Sequence, residues 1–382
     1  MSLDPAEVAW LAAHPEAVAE AAARELGDAT LIADLAALRA RHGDRARALV
    51  ELVRARRGAA GRLPGHWLMS AEAAQQATHA LVAAERAGRI ADAAGGAWVH
   101  DLTCSIGADL AALAAAGARV LGSDLDPARA AMARVNVPGV PVLVADALAP
   151  ASRAPIIVAD PARRAGGRRL RRPEQLRPPL PGLLAAWPGA EAAVKCAPGL
   201  DFAEWPGEVA LASVDGRVKE ACLYTPGLAA PGVRRSATLL STRGAPTRRY
   251  HDAMPDGCGV GPAGRFIIDP DGAVVRAGLV RQFAAAHGLH QLDERIAHLT
   301  GDAVPPGATG FEVLAEVAPK RLRAELAARD CGSAEVLVRG VDQDPDRLRA
   351  SWRLRGDRPL AVVLTRVGRS ARAFICGPRV AG

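Results

Sequence analysis

Aromatic side chains are scarce in this 382-residue chain, at 3% of residues, so its cores must be built from Ala, Leu and Val, within a 50% hydrophobic content. Lysine is scarcer still. Of 48 basic residues only Lys195, Lys219 and Lys320 are lysines, and arginine carries the rest of the positive charge. A GC-rich genome accounts for that bias; arginine's planar fork of donors also suits phosphate, and the two accounts are compatible. The six cysteines (104, 196, 222, 258, 331 and 376) are scattered, with no C-x-x-C and no histidine at zinc spacing. That argues against a metal site and against a disulfide framework. There is no basic-then-apolar N-terminal segment, and the apolar runs are Ala-rich, short and broken by charges. The expectation is a soluble, cytoplasmic protein with no membrane partner. A net charge of +7 and a pI near 9.5 favour a polyanionic partner.

What the chain does have is concentrated between Trp98 and Arg164. A short apolar strand, 97–100, runs into Asp101-Leu102-Thr103-Cys104-Ser105-Ile106-Gly107-Ala108-Asp109, and a helix over 110–116 stops at Gly117. A second strand, 119–122, ends in the acidic turn Ser123-Asp124-Leu125-Asp126-Pro127. A helix over 128–135 leads to a third strand, 140–144, ending in Asp146, and a fourth, 155–159, ends in Asp160-Pro161-Ala162-Arg163-Arg164. Strands that alternate with helices predict an open α/β sheet, in which ligands bind at the carboxyl ends of the strands. Here each of those ends carries an acid.

A tight turn after the first strand brings backbone N–H groups close to a ligand, which is why glycine is wanted there. A carboxylate after the second strand, about 20 residues on, accepts both hydroxyls of a ribose. Asp124 or Asp126 fits that role, and Asp146 is placed to read an adenine amino group. There is no G-x-G-x-x-G and no spare arginine for a second phosphate, so a dinucleotide fits less well than one nucleoside with a short charged tail. S-adenosyl-L-methionine answers that description.

The stretch resembles a class I S-adenosylmethionine-dependent methyltransferase. Asp160-Pro161-Ala162-Arg163 resembles the D-P-P-x loop where such enzymes hold a target nitrogen, and D-x-x-C-S-I-G-A-D resembles the first motif of the trimethylguanosine-synthase group. After about Leu63, most of the chain resembles a bacterial, actinobacterial-type group that joins this core to a THUMP-like C-terminal domain. That group carries a D-P-[SA]-R-R loop and a later K-x-[SA]-P-x-[LI]-D motif, matched by Lys195-Cys196-Ala197-Pro198-Gly199-Leu200-Asp201. The resemblance implies an α/β, Rossmann-like methyltransferase sheet over 93–307, an N-terminal helical region over 1–92 and a small α+β, THUMP-like domain over 308–382. It implies cofactor contacts from Asp101, Thr103, Cys104, Ser105, Gly107, Asp109, Asp124, Leu125, Asp126, Asp146 and Ala147. The implied reaction site is Asp160, Pro161 and Arg163, acting on a purine nitrogen of structured RNA, a tRNA or rRNA.

Two positions depart from the pattern. Ser105 stands where many members have the first glycine of the loop. Ala162 stands where a second proline is common, which removes a stiffener from the reaction loop. A D-P-P-R loop also occurs in enzymes that methylate a pyrimidine carbon through a cysteine nucleophile. Cys196 ends the next strand, but in K-C-A-P rather than S-C-N-P. A reading of another class is an RNA-binding protein whose methyltransferase fold has lost activity; the acids at 101, 124, 146 and 160 weigh against it.

Residues 1 to about 60 read as helices. Asp4-Pro5-Ala6-Glu7 is a capping box with proline at the first helical position, Pro15 opens a second helix, and Asp28 and Asp44 are expected to cap two more. Arg41, Arg45, Arg47, Arg54, Arg56, Arg57 and Arg62 make either a solvated surface or one that faces RNA. Trp67 is either a core anchor or, with Gln76, part of the cofactor's edge. Six arginines between Arg163 and Arg172 follow the reaction loop, where a nucleic acid delivering a base would pass its phosphates. A fifth strand is expected over 190–195, then an antiparallel pair over 209–213 and 218–224. Beyond it, 237–240 and 266–268 are strand-like, 277–286 and 292–299 helical, and 301–307 a linker. From Phe311 the pattern is α+β, with strands over 311–317, 334–338, 360–367 and 371–376 and helices over 320–329 and 345–352. Nothing in it specifies an oligomeric state.

Overall fold

Asp4 opens the first helix, α1 (Pro5–Ala13), through the expected capping box: its side chain accepts from Glu7 N at 2.7 Å, and Glu7 accepts from Asp4 N at 2.9 Å. The computed structural model describes residues 3–162, 164–165, 168–169, 172–199 and 204–382, with the backbone alone at 164–165 and 168–169. Helices α2 (Pro15–Ala22), α3 (Leu31–His42), α4 (Ala46–Gly58), α5 (Ala71–Gln76) and α6 (Ala80–Ala94) follow. Two caps differ from expectation. Thr30 rather than Asp28 precedes α3, and Asp44 falls in a short helical turn, Gly43–Arg45, ahead of α4. A side-chain cap needs extended backbone at its residue, but Thr30 and Arg45 both have helical angles. Leu11, Leu38, Leu49 and Leu52 from these helices share one core with Trp67, Met69, Ile106 and Met132, so Trp67 is a core anchor.

The alternation of strand and helix appears as β1 (Trp98–Asp101), α7 (Ala108–Ala115), β2 (Arg119–Asp124), α8 (Pro127–Asn136), β3 (Val142–Val144) and β4 (Ile156–Ala159). A short pair, β5 (Arg164–Ala165) and β6 (Arg168–Arg169), precedes α9 (Leu180–Ala186), β7 (Glu191–Cys196), β8 (Glu208–Val214) and β9 (Arg217–Tyr224). One compact unit comprises Met1–Glu208 and Lys219–Ala229. Its strands lie in the order β9-β7-β4-β1-β2-β3, parallel except for β9. Every residue of β4 is buried, as a strand covered by helices on both faces requires. The order reverses between β1 and β4. The crevice at their carboxyl ends is therefore the topological switch point where ligands bind in such sheets.

The other unit comprises Val209–Val218 and Ala230–Gly382. Its elements are β10 (Arg235–Leu240), β11 (Arg248–His251), β12 (Phe266–Pro270), α10 (Gly272–Ala277), α11 (Val280–Ala286), β13 (His290–Gln291), β14 (Leu299–Gly301), β15 (Ala308–Val317), α12 (Leu322–Ala327), β16 (Cys331–Arg339), α13 (Pro345–Trp352), β17 (Arg358–Val367), β18 (Ser370–Cys376) and β19 (Val380–Ala381). A sheet runs β13-β14-β12-β15-β18-β17-β16. Alternation along β17 divides its core: Leu360, Val362 and Leu364 pack with Leu322, Leu326 and Trp352, while Ala361 and Val363 pack with Phe311 and Phe374. The helix expected over 292–299 is absent. Asp293 accepts from Arg295 N at 2.9 Å instead, a local turn that competes with helix, and Leu299 begins a strand. Among the described residues no helix is long and apolar enough to cross a membrane.

Candidate functional site

The turn from β1 into α7 is closed by backbone bonds. Leu102 N donates to Val158 O at 2.8 Å, Cys104 N to Ser123 O at 2.9 Å and Gly107 N to Cys104 O at 2.8 Å. Gly107 has φ +93°, and a Cβ there would lie 2.8 Å from Val137 Cγ2, so both backbone and space require glycine. Ser105 is also left-handed, at φ +50°, which explains why glycine is common at that place. A serine holds that conformation at a cost of roughly 1–2 kcal/mol, while its N–H donates to Asp124 Oδ2 at 2.9 Å. Asn136 braces the turn from α8, its amide donating to Ile106 O at 2.9 Å and Leu68 O at 2.8 Å.

The acids at the strand ends have different surroundings. Asp124, the last residue of β2, takes a second N–H from Asp126 at 2.9 Å. Burial pushes its carboxyl up, against the two N–H groups that favour the charged form. Asp126 caps α8, accepting from Ala128 N at 2.8 Å and Arg129 N at 3.3 Å. Leu125 between them is 69% exposed. After β3, Asp146 accepts from Leu148 N at 2.9 Å, and the carbonyl of buried Ala147 accepts from Trp187 Nε1 at 2.8 Å. Asp101 is only 2% exposed; Thr103 N donates to its Oδ1 at 3.3 Å, while its Oδ2 is buried with no partner among the described residues. Burial, reinforced by Asp109, pushes the Asp101 carboxyl up to about 8. Burial also pushes up the Cys104 thiol.

Asp160 follows β4 and is tied to the first turn, its N–H donating to Thr103 Oγ1 at 2.7 Å. Its Oδ2 lies 2.6 Å from Lys195 Nζ, and the same ammonium lies 3.1 Å from Asp109 Oδ2 and also bonds Thr78 Oγ1. Asp109 in turn pairs with Arg86, which pairs with Glu220. The result is a chain of ion pairs, Glu220–Arg86–Asp109–Lys195–Asp160, buried at Glu220, Arg86 and Lys195 and partly exposed at Asp160, with three carboxylates to two cations. Burial alone would favour the neutral forms of Asp109 and Lys195. Instead Arg86 and Lys195 hold the Asp109 carboxyl far below the usual range, and Asp109 and Asp160 raise the Lys195 ammonium above its ordinary value against its desolvation. Asp109, expected at the cofactor, is enclosed by Arg86, Lys195 and Thr78.

Pro161 is buried, and Ala162 forms a bridge with Arg177: its N–H donates at 2.7 Å and its carbonyl accepts at 3.3 Å. A proline at 162 would lose the first of these bonds. The stiffener missing from the sequence is thus replaced by a backbone pairing. Arg163 lies outside the described residues, as do Arg171, Leu200 and Asp201. Cys196 ends β7 with no exposed surface.

Arg86, Lys195, Thr78 and Glu220 were not anticipated as a group. The signals were available: Lys195 follows the apolar run Ala192-Ala193-Val194 within β7, and Arg86 sits at helical spacing from buried Val82 and Ile90. The arginines of the helical region are largely engaged within the protein. Arg47 pairs with Glu7, Arg56 donates to the carbonyls of His66 and Trp67, Arg57 to those of Ala22, Arg24 and Glu25, and Arg62 to those of Gly58 and Ala74.

Two Mycobacterium tuberculosis proteins, from strains CDC 1551 / Oshkosh and ATCC 25618 / H37Rv, are each 50% identical to this chain over 364 residues, spanning 89% of it and 99% of themselves. Both are named uncharacterized S-adenosylmethionine-dependent methyltransferases. The chain belongs to the S-adenosylmethionine-dependent methyltransferases. S-adenosyl-L-methionine is therefore the cofactor of this methyltransferase. The methyltransferase shares its fold with a solved protein of Porphyromonas gingivalis W83 described as a methyltransferase, at TM-score 0.72 and 16% identity over 98% of this chain and 99% of that one. Its residues 308–378 match the THUMP domain-like family.

Proposed function

We propose that this methyltransferase transfers the methyl group of S-adenosyl-L-methionine to a purine nitrogen of structured RNA, a tRNA or rRNA, at the loop opened by Asp160. The observation that carries the reading is the 2.7 Å bond from Asp160 N to Thr103 Oγ1, which ties the D-P-A-R loop to the turn after β1. The residues around that turn fit the cofactor chemically. The buried, unpartnered Oδ2 of Asp101 suits an ammonium such as the one on the cofactor's tail. Asp124 would take the ribose hydroxyls, with Asp126 setting the helix beside it. Exposed Leu125 and Leu148 offer apolar surface to an adenine, whose amino group Asp146 and the neighbouring Ala147 backbone would read. Thr103, Cys104, Ser105 and Gly107 shape the turn, and Asp109 supports Lys195 rather than touching the cofactor.

The cofactor supplies a methyl group already activated by its sulfonium, so the protein's task is alignment. Asp160, held by Lys195 through one oxygen and by Thr103 through its N–H, would accept a hydrogen bond from an exocyclic amine. The Pro161 carbonyl would accept another, keeping the nitrogen lone pair on line. Arg163 would then contact the base or its phosphate. The base is taken from a loop or flipped out of a helix. The net charge and the THUMP domain-like match, a type associated with RNA-modifying enzymes, support RNA as the partner.

Methylation of a pyrimidine carbon needs a cysteine that reaches the base, and the complete burial of Cys196 favours nitrogen. Labelled methyl transfer by two variants separates the readings. Asp160→Ala is expected to bind cofactor within a few-fold of wild type and to lose transfer; activity within a few-fold of wild type would move the reaction site elsewhere. Cys196→Ala is expected to remain active, whereas loss of activity in the variant, with a covalent RNA adduct trapped on the wild type, would select carbon.

A further inference from the structure

In the unit Val209–Val218 with Ala230–Gly382, a cleft of about 590 Å³ lies where the 292–295 turn meets the tip of the β17–β18 hairpin. Its walls are fixed from several directions. Asp293 Oδ2 accepts from Gly368 N at 2.7 Å while Oδ1 accepts from Arg295 N at 2.9 Å, so this carboxylate clamps turn to hairpin. The Gln291 side-chain amide donates to the carbonyls of Asp293, Glu294 and Ile296. Gly340 allows close packing there: a Cβ would lie 2.6 Å from Ile296 Cδ1 and 3.3 Å from Arg366 Cβ.

Arg295, Arg366 and Arg369 line this cleft. Among the described residues none of the three makes an ion pair, whereas Arg339, Arg372 and Arg379 of the same unit pair with Asp269, Glu316 and Glu335. Arg295 and Arg366 act on Asp293 only at longer range, and Glu294 is the other acid of the lining. Arg366 Nε is buried with no acceptor among the described residues. A guanidinium with a donor unmatched inside the chain is not committed to an internal acceptor, and its outer N–H groups can take one from outside. Three guanidinium groups around a rigid cleft match the oxygens of phosphate, which a planar fork grips in two bonds. Val260, half exposed at the rim, offers apolar surface to a ribose or base, which free phosphate would leave uncovered.

We infer that this cleft grips the phosphodiester backbone of the RNA substrate, through Arg295, Arg366 and Arg369. The inference rests on the RNA reading above and adds a contact far in sequence from the reaction loop. The test is a binding titration of the full chain with end-labelled total small RNA over a range of salt. It compares wild type, Arg295→Gln/Arg366→Gln/Arg369→Gln, and the exposed single change Arg369→Glu. The triple variant is expected to bind RNA at least tenfold more weakly, with the slope of log K against log salt reduced by about 2, and to bind cofactor as wild type does. Arg369→Glu is expected to move the same way without disturbing the fold. Unchanged affinity and slope in both variants would overturn the cleft and leave the RNA reading standing. Failure of the wild type to bind RNA would overturn both. Inorganic phosphate bound in an arginine-dependent way, with RNA binding independent of those arginines, would assign the cleft to the free ion and overturn the inference.

Discussion

Replacing Asp101 with asparagine is expected to abolish the pH dependence of cofactor affinity. In the cofactor-free protein the Asp101 carboxyl lies at about 8 instead of the ordinary 3.8, because burial and the charges of Asp109 and Asp124 outweigh Lys195 and the Thr103 N–H. At neutral pH it is therefore mostly protonated, and an ammonium that meets Oδ2 must displace that proton. If the carboxylate is the form that binds, affinity falls by 1 + 10^(8 − pH), so it strengthens about fiftyfold between pH 6 and pH 8. Calorimetry at pH 7 in two buffers of different ionisation enthalpy would then register release of about one proton per cofactor bound. Stability runs the other way. The folded chain keeps a proton that the unfolded chain has already lost, so stability of the free protein declines as pH rises from about 4 to about 8. Wild-type affinity that is flat over this range, or an Asp101→Asn variant with the same slope as wild type, would refute the placement of Asp101 against a cation.

Lys195→Met leaves Asp109 and the partly exposed Asp160 without their ammonium, and the loss of the buried cation is expected to cost about 3–5 kcal/mol in urea unfolding; a cost under about 1 kcal/mol would mean the ion chain contributes little. Gly107→Ala forces a left-handed alanine and drives its Cβ to 2.8 Å from Val137. A loss of about 3 kcal/mol in stability, with weakened cofactor binding, is expected in thermal and calorimetric assays.

The strand-and-acid frame was legible because its signals are local. Each strand is a short apolar run, each acid stands next to it in sequence, and β1, β2 and β4 fall within a residue or two of expectation. The ion chain was not legible as a unit, because Lys195 and Thr78 are 117 residues apart and Arg86 and Glu220 are 134 apart. Only their places marked them as needing partners: Lys195 after an apolar run in its strand, and Arg86 on the helix face of Val82 and Ile90. Local side-chain bonds account for other differences. Asp126, a candidate ribose ligand, also caps α8. Leu292 to Leu299 has helical spacing, yet Asp293 and Gln291 turn the chain there. The left-handed angle at Ser105 is signalled only by its standing where glycine is common, not by serine itself.

The most direct test of the account is transfer of labelled methyl from S-adenosyl-L-methionine to total RNA from a strain lacking this protein, followed by nucleoside analysis. The account predicts label on a purine, which would also identify the base. An unlabelled RNA fraction, from enzyme shown to bind the cofactor, would contradict it and direct the search to a small-molecule or protein acceptor.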